Sequence, residues 1–177
     1  MSYSTINLLI AYIIIDTPLK LKQSKPYQEA SFYIHHQAVV NSVKPYVNDY
    51  ILTTESYSKS AVLYYYTGKY ISVFGPGSCH ARHDDMYTDF RQFDGKNFII
   101  IRTLPPDMNK YVPYFQNVSV KKIKLEDTTL YLVIGNSFKY DIYREKVLRS
   151  IKDNYYQIPT WLPMKGNYFT DKYFKED

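Results

Sequence analysis

Cysteine, tryptophan and glycine are all scarce in this chain, whose 177 residues include one Cys, one Trp and six Gly. With Cys79 alone, no disulfide can close within the chain and no CxxC zinc knuckle can form. The densest glycine run, Gly75-Pro76-Gly77-Ser78, lacks both the Lys-Ser/Thr that completes a P-loop and the GxGxxG spacing of a dinucleotide site. Pro76 also removes one backbone N–H that a phosphate cradle would use, so the run reads as a turn. The GxSxG elbow of serine hydrolases and the HExxH helix of zinc peptidases are missing too. Long apolar stretches are equally absent. The run at residues 6–15 (INLLIAYIII) is about half of the ~20 residues that a bilayer-crossing helix needs. It has neither a basic leader nor a small-residue cleavage site. Two readings stay open for it: a buried strand or helix, or the exit end of a membrane helix.

Charge of one sign is also in short supply. Twenty-two basic residues stand against 17 acidic ones, a net charge of +5, and the excess is spread thinly. The tightest basic cluster is Lys121, Lys122 and Lys124, in a pattern that fits a solvated strand face. A nucleic-acid partner is therefore not expected. What the chain has in abundance is tyrosine, 21 residues spread along its whole length. Tyr joins a large apolar body to a polar tip and suits both half-buried positions and binding surfaces.

The pattern of elements predicts an α/β fold: a small, mostly parallel sheet with an antiparallel edge hairpin, flanked by helices. Residues 1–25 form an apolar segment and linker, and residues 26–177 form one domain without repeats or low-complexity linkers. Residues 26–44 carry Ala30, Ile34 and Ala38 at four-residue spacing, with Pro26 at a helix start and Pro45 after its end. Residues 50–54 read as a strand. Ser56 is placed to cap a helix over 57–66 that Gly68 ends, and 70–74 is the next strand. Strand, helix, strand in about 25 residues is the unit of a parallel sheet. Residues 97–103 (NFIIIRT) are continuously apolar, as in a strand covered on both faces. A short helix is expected over 108–115, then two strands, 118–125 and 128–134, joined at Glu126-Asp127. Residues 140–154 form an amphipathic helix with Tyr143, Val147 and Ile151 in one stripe. The tail after Pro159, with Trp161, reads as an irregular cover.

Candidate chemistry concentrates in the turn-rich residues 75–95. Cys79, His80, His83 and Asp85 are all potential metal ligands, but zinc sites draw on two separated segments and the other histidines, His35 and His36, fall on the first helix. Cys79, His80 and His83 are thus weak metal candidates beside the simpler reading of a polar loop. Asp84, Asp85 and Asp89 are close enough in sequence to shift one another's pKa, although loop carboxylates more often cap or are solvated. No catalytic residue and no cofactor is assigned.

From residue 50 onward the order of features resembles a known family. The segments ILTTESYSKSAVLYYYTGKYISVFG, RHDDMYTDFRQFDGKNFIIIR and PPDMNKYVPYFQNVSVKK, followed by a strand hairpin, are similar to the soluble C-terminal domain of bacterial membrane glycosyltransferases related to dolichyl-phosphate-mannose protein mannosyltransferases. In that family a strand leads into a Tyr-containing helix with an aromatic end, matched here by Tyr57 and Tyr64 to Tyr66. A loop of the form Asp-x-aromatic-x-Asp follows and leads to a Gly and a hydrophobic strand. Asp85, Tyr87, Asp89 and Gly95 fit that spacing, and the resemblance covers about residues 47–135. It implies a non-catalytic soluble domain of a polyprenyl-phosphate-sugar-dependent transferase, capping the membrane active site or positioning the acceptor. It also implies a polytopic membrane partner or the membrane surface, a periplasmic location, and residues 6–15 as the remnant of a last membrane helix. On this reading His83, Asp85, Tyr87, Asp89 and Tyr57 contact substrate or partner. The alternative is an independent small-ligand or metal-binding module, cytoplasmic if it has no membrane partner.

Overall fold

β3, Phe98–Arg102, is the strand on which both layers of the core are built. Its alternate residues leave the sheet on opposite sides: Phe98 and Ile100 join one buried cluster, Ile99 and Ile101 the other, and all four are essentially inaccessible. A strand that is apolar on both faces is stable only with cover on both, which makes this a three-layer α/β fold. The computed structural model describes residues 19–77, 83–159, 161–163 and 166–175.

Five strands run in the order β2-β1-β3-β5-β4. β1 (Ile51–Thr54) lies parallel to β2 (Ser72–Val73) on one side and to β3 on the other. β5 (Thr129–Phe138) runs antiparallel to β3 and pairs with β4 (Phe115–Lys124), which forms the far edge. The expected α/β class, with its parallel sheet and antiparallel edge hairpin, is what the chain adopts.

One face is covered by three helices, α1 (Lys25–Ile34), α2 (His36–Val43) and α3 (Tyr57–Thr67), which bury Phe32, Val39, Val43 and Leu63 against Leu52 and Leu132. α3 ends at Gly68, whose φ of 68° is the left-handed conformation that glycine adopts without steric cost. The other face is covered by the 3₁₀ turn Phe90–Phe93 that follows α4 (Asp84–Tyr87), by α5 and by α6 (Tyr168–Tyr173). α5 is built from Tyr140–Tyr143, a wider π turn over Arg144–Leu148, and Arg149–Tyr155. It buries the expected stripe of Tyr143, Val147 and Ile151. Rings dominate this side: Phe74, Phe90, Phe98, Phe115, Phe138 and Tyr143 touch one another at centroid separations such as 5.0 Å (Phe74–Tyr143) and 4.8 Å (Phe98–Phe138).

Several elements differ from the sequence pattern. The helix expected over 26–44 breaks at His35 (φ −101°, ψ 29°). There Nε2 of His35 lies 2.9 Å from an Asp127 carboxylate oxygen, and Nδ1 of His36 binds the Tyr33 carbonyl, which a continuing helix would need. The residues facing the core are Phe32, Val39 and Val43, whereas Ile34 and Ala38 are exposed. The short helix expected over 108–115 is two 3₁₀ turns, Met108–Lys110 and Val112–Tyr114, and Phe115 already belongs to β4. Ser56 stands before α3 with an extended backbone, but its hydroxyl makes no capping bond and pairs with Ser58 instead. The tail is more than a cover: Phe169, Tyr173 and Phe174 complete the ring cluster, and Trp161, 79 % exposed, takes no part. The apolar run at residues 6–15 lies outside the described residues. Among those described, no helix is long and apolar enough to cross a membrane.

Gly135 sits in β5 directly under the buried Phe115 ring, where an added Cβ would stand 2.5 Å from Phe115 Cγ. Phe115 is locked between Phe74, Phe98 and Phe138 and has nowhere to go. Gly135→Ala should therefore cost about 1–3 kcal/mol of stability, read as a lowered urea midpoint with an unchanged slope.

Candidate functional site

The segment that returns from β2 to β3 carries the candidate site residues, and the structure separates them into two groups. Asp85 and Asp89 are each held by partners within the fold. Asp85 is 5 % exposed and accepts a 2.7 Å hydrogen bond from the Tyr156 hydroxyl. Burial, the Tyr168 hydroxyl and then the Asp85 carboxylate hold the Tyr156 phenol far above its ordinary pKa, so it stays a donor. Asp89 receives the Arg91 backbone N–H at 3.1 Å and its guanidinium at 2.9 and 2.8 Å. Those Arg91 bonds outweigh desolvation and hold the carboxyl below its usual range. Lys172, from α6, donates to the carbonyls of Asp85 (2.6 Å), Thr88 (3.1 Å) and Met86 (3.4 Å). One ammonium thus satisfies the carbonyls at the end of α4 that have no helical partner. Tyr173 adds a hydroxyl bond to Thr88 O at 3.0 Å. The loop is therefore fastened from below by the C-terminal helix.

His83 and Tyr87 face the other way. Tyr87 is 66 % exposed, its ring 5.2 Å from that of His83 and 6.0 Å from that of Tyr70. Tyr70 in turn meets Tyr64 at 6.3 Å, so rings from α3, the β2 lead-in and α4 form one exposed strip. Tyr65 and Tyr66, at the end of α3, are exposed as well. The strip borders a cleft of about 660 Å³ at the amino ends of the parallel strands, lined by Asn48, Lys69, Tyr70, Ser72, Tyr87 and Lys96 among others. Ser72 is 3 % exposed, and its hydroxyl has no hydrogen-bond partner among the described residues.

Between strip and sheet stands Asp84. Its carboxylate takes the Val73 backbone N–H of edge strand β2, the Tyr70 hydroxyl, and a 3.3 Å bond from Thr88 Oγ1. Occupying that N–H blunts an edge that would otherwise offer itself to another strand. Desolvation, reinforced by the neighbouring Asp85, outweighs the Val73 and Thr88 bonds and pushes the Asp84 pKa up to about 6.

Tyr57 is not part of this group. It packs on Gly77, past the carboxyl end of β2, where a Cβ would meet its hydroxyl at 3.0 Å. Cys79 and His80 lie outside the described residues. Among those described, no group of three or more His, Cys, Asp or Glu side chains is placed to hold a metal ion. Sequence reasoning singled out Tyr87 but passed over Tyr70, Ser72 and Lys172. Tyr70 had a legible signal, an aromatic residue directly before a strand that α3 leads into. Lys172 had none, because its partners are carbonyls about 85 positions away.

No family model, no curated protein and no solved structure matches the chain.

Because the folded Asp84 pKa of about 6 lies above its ordinary 3.8, the fold binds this proton more tightly than the unfolded chain does. The resulting stabilisation is complete below pH 3.8 and is lost as pH rises to about 6. Urea midpoints across that window should show wild type losing ground to Asp84→Asn as pH rises; parallel curves would rule this out.

Proposed function

We propose that the chain is a non-catalytic soluble domain of a polyprenyl-phosphate-sugar-dependent membrane glycosyltransferase, acting through binding rather than chemistry. The observation that supports this reading is the division of labour in residues 83–97. The acids that would be candidates for acid–base work, Asp84, Asp85 and Asp89, are engaged by the Val73 N–H and Tyr70, by Tyr156 and by Arg91, while the rings of His83, Tyr87 and the neighbouring Tyr70 are turned outward. An exposed ring strip is a recognition surface: Tyr offers large contact area at small conformational cost, and suits both sugars and the headgroup region of a membrane. The order of elements fits as well. A strand, a Tyr-bearing helix with an aromatic end, a short strand, an acidic loop and an apolar strand follow one another as the family resemblance requires. In this reading the domain works on the periplasmic side, associated with the membrane through its partner, with the strip capping the partner's active site or placing an acceptor.

A second reading is an independent small-ligand module, favoured by the buried Ser72 hydroxyl lining the 660 Å³ cleft without a partner among the described residues.

Fractionation of the native, untagged chain and purification from mild detergent separate the two. The first reading expects recovery with a polytopic protein that turns over a polyprenyl-phosphate sugar. Tyr65→Ala combined with Tyr87→Ala should cut that recovery roughly tenfold, while exposed positions of this kind change stability by only about 0.5 kcal/mol. A monomer free of membrane and partner would sink the first reading and turn attention to the cleft.

A further inference from the structure

The carboxyl ends of the parallel strands hold a second concave site, at the opposite end from the ring strip. β1 stands between β2 and β3, and the chain leaves it across one face through α3 and reaches β3 across the other through the Phe90–Phe93 turn. The carboxyl ends of β1 and β3 are therefore a topological switch point, where open α/β sheets form their ligand crevices. A pocket of about 390 Å³ opens here, in the size range of small-molecule sites. It is lined by Phe74, Tyr111, Tyr114 and Val147 together with Glu55 and Lys110.

Glu55 is the first residue after β1, and its carboxylate is held from behind. Arg102 Nη1 donates to Oε1 at 2.8 Å, and the Tyr111 hydroxyl donates to the same oxygen at 2.5 Å. Arg102 also meets the Tyr111 hydroxyl and the Leu104 carbonyl. Both carboxylate bonds fall on Oε1, so Oε2 has no partner among the described residues, and the side chain is 37 % exposed. Tyr111 is fully buried, and burial followed by the Glu55 bond raises its phenol pKa, keeping the hydroxyl a donor. The result is one oriented acceptor oxygen beside an aromatic lining.

Charge decides what such a site accepts. Arg102 is committed to Glu55, so among the described residues no cation remains behind the carboxylate to receive a phosphate or sulfate, and Oε2 would repel one. A cationic ligand meets the reverse problem, because Arg102 already neutralises Glu55 and Lys110 stands at the mouth. A neutral ring with hydroxyls on its edge and C–H bonds on its face satisfies every group: hydroxyls donate to Oε2 and accept from Lys110, and the apolar face rests on the half-buried Tyr114, backed by the buried Phe74. We propose that the pocket formed by Glu55, Phe74, Lys110, Tyr111 and Tyr114 binds a single neutral pyranose sugar. Binding there does not rest on the membrane-transferase reading: the pocket would serve a domain acting alone as well as one tethered to an enzyme.

The test is a titration of the isotopically labelled full chain with methyl glucoside, methyl mannoside and methyl galactoside, followed by amide chemical shifts. One glycoside should saturate and move the amides of Glu55, Gly75, Gly77 and Tyr111. Glu55→Gln should weaken it about tenfold or more, the cost expected for removing a hydrogen bond to a charged group. Tyr114→Ala, which leaves the Glu55–Arg102–Tyr111 contacts in place, should weaken it too and serves if Glu55→Gln does not fold. Lys69→Ala, at the other cleft, should leave binding unchanged. No saturable shift with any of the three glycosides would overturn the proposal, as would undiminished binding in a folded Glu55→Gln or Tyr114→Ala protein. So would inorganic phosphate moving the same amides in place of sugar, or glycoside shifts confined to Lys69, Tyr70 and Lys96. Failure to recover a membrane partner would bear on the earlier reading and leave this one standing.

Discussion

Burial of β3 on both faces is the constraint from which the rest of the molecule follows. Phe98 and Ile100 require an apolar layer on one side, Ile99 and Ile101 on the other, and five residues of backbone must still find hydrogen bonds in between. β1 supplies those bonds on one edge and β5 on the other, which fixes β3 in the centre. Each neighbour must then be long enough to carry its own cover. β5 manages this with ten residues and a glycine that admits the Phe115 ring, and β1 with four residues backed by α3. The ring-rich face depends on this arrangement twice over, because Phe98 from β3 and Phe115 from β4 meet only when β5 is thin at Gly135.

Much of this was legible in the sequence because the signals were local. Continuous apolar residues marked β3, the Glu126-Asp127 turn marked the hairpin, Gly68 marked the end of α3, and the stripe of Tyr143, Val147 and Ile151 marked α5. What escaped were effects of distant partners. The break at His35 arises from Asp127, 92 positions away, and no propensity at residue 35 announces it. The fate of the acidic loop is similar. Asp85 reads as a candidate acid until Tyr156 and Lys172 arrive from the far end of the chain, and only then is it a buried anchor. Composition misled in one respect as well: tyrosine abundance gives no hint of which phenols are exposed, and the structure divides them sharply between Tyr65, 80 % exposed, and Tyr111, wholly enclosed.

Two ends of one sheet thus carry different chemistry. At the amino ends, rings face outward around a broad cleft. At the carboxyl ends, a carboxylate, a guanidinium and a buried phenol are fixed against one another. The contrast follows from backbone geometry. The short β2 leaves its lead-in, Tyr70, projecting past the sheet, whereas β1 and β3 end in register, with Thr54 beside Ile101, so that Glu55 and Arg102 emerge side by side.

The Asp127 clasp has a further geometric consequence. Lys22, Tyr27 and His35 all reach this one carboxylate, and their bonds outweigh its desolvation and keep it ionised. Since Arg102 pairs with Tyr131 near the start of β5, the hairpin turn that bears Asp127 projects beyond the carboxyl end of β3. Helices α1 and α2, which cover one face, are thereby stapled to that end of the sheet. The clasp therefore acts as a rivet: one carboxylate holds the cover of one face and the tip of the edge hairpin in a single unit.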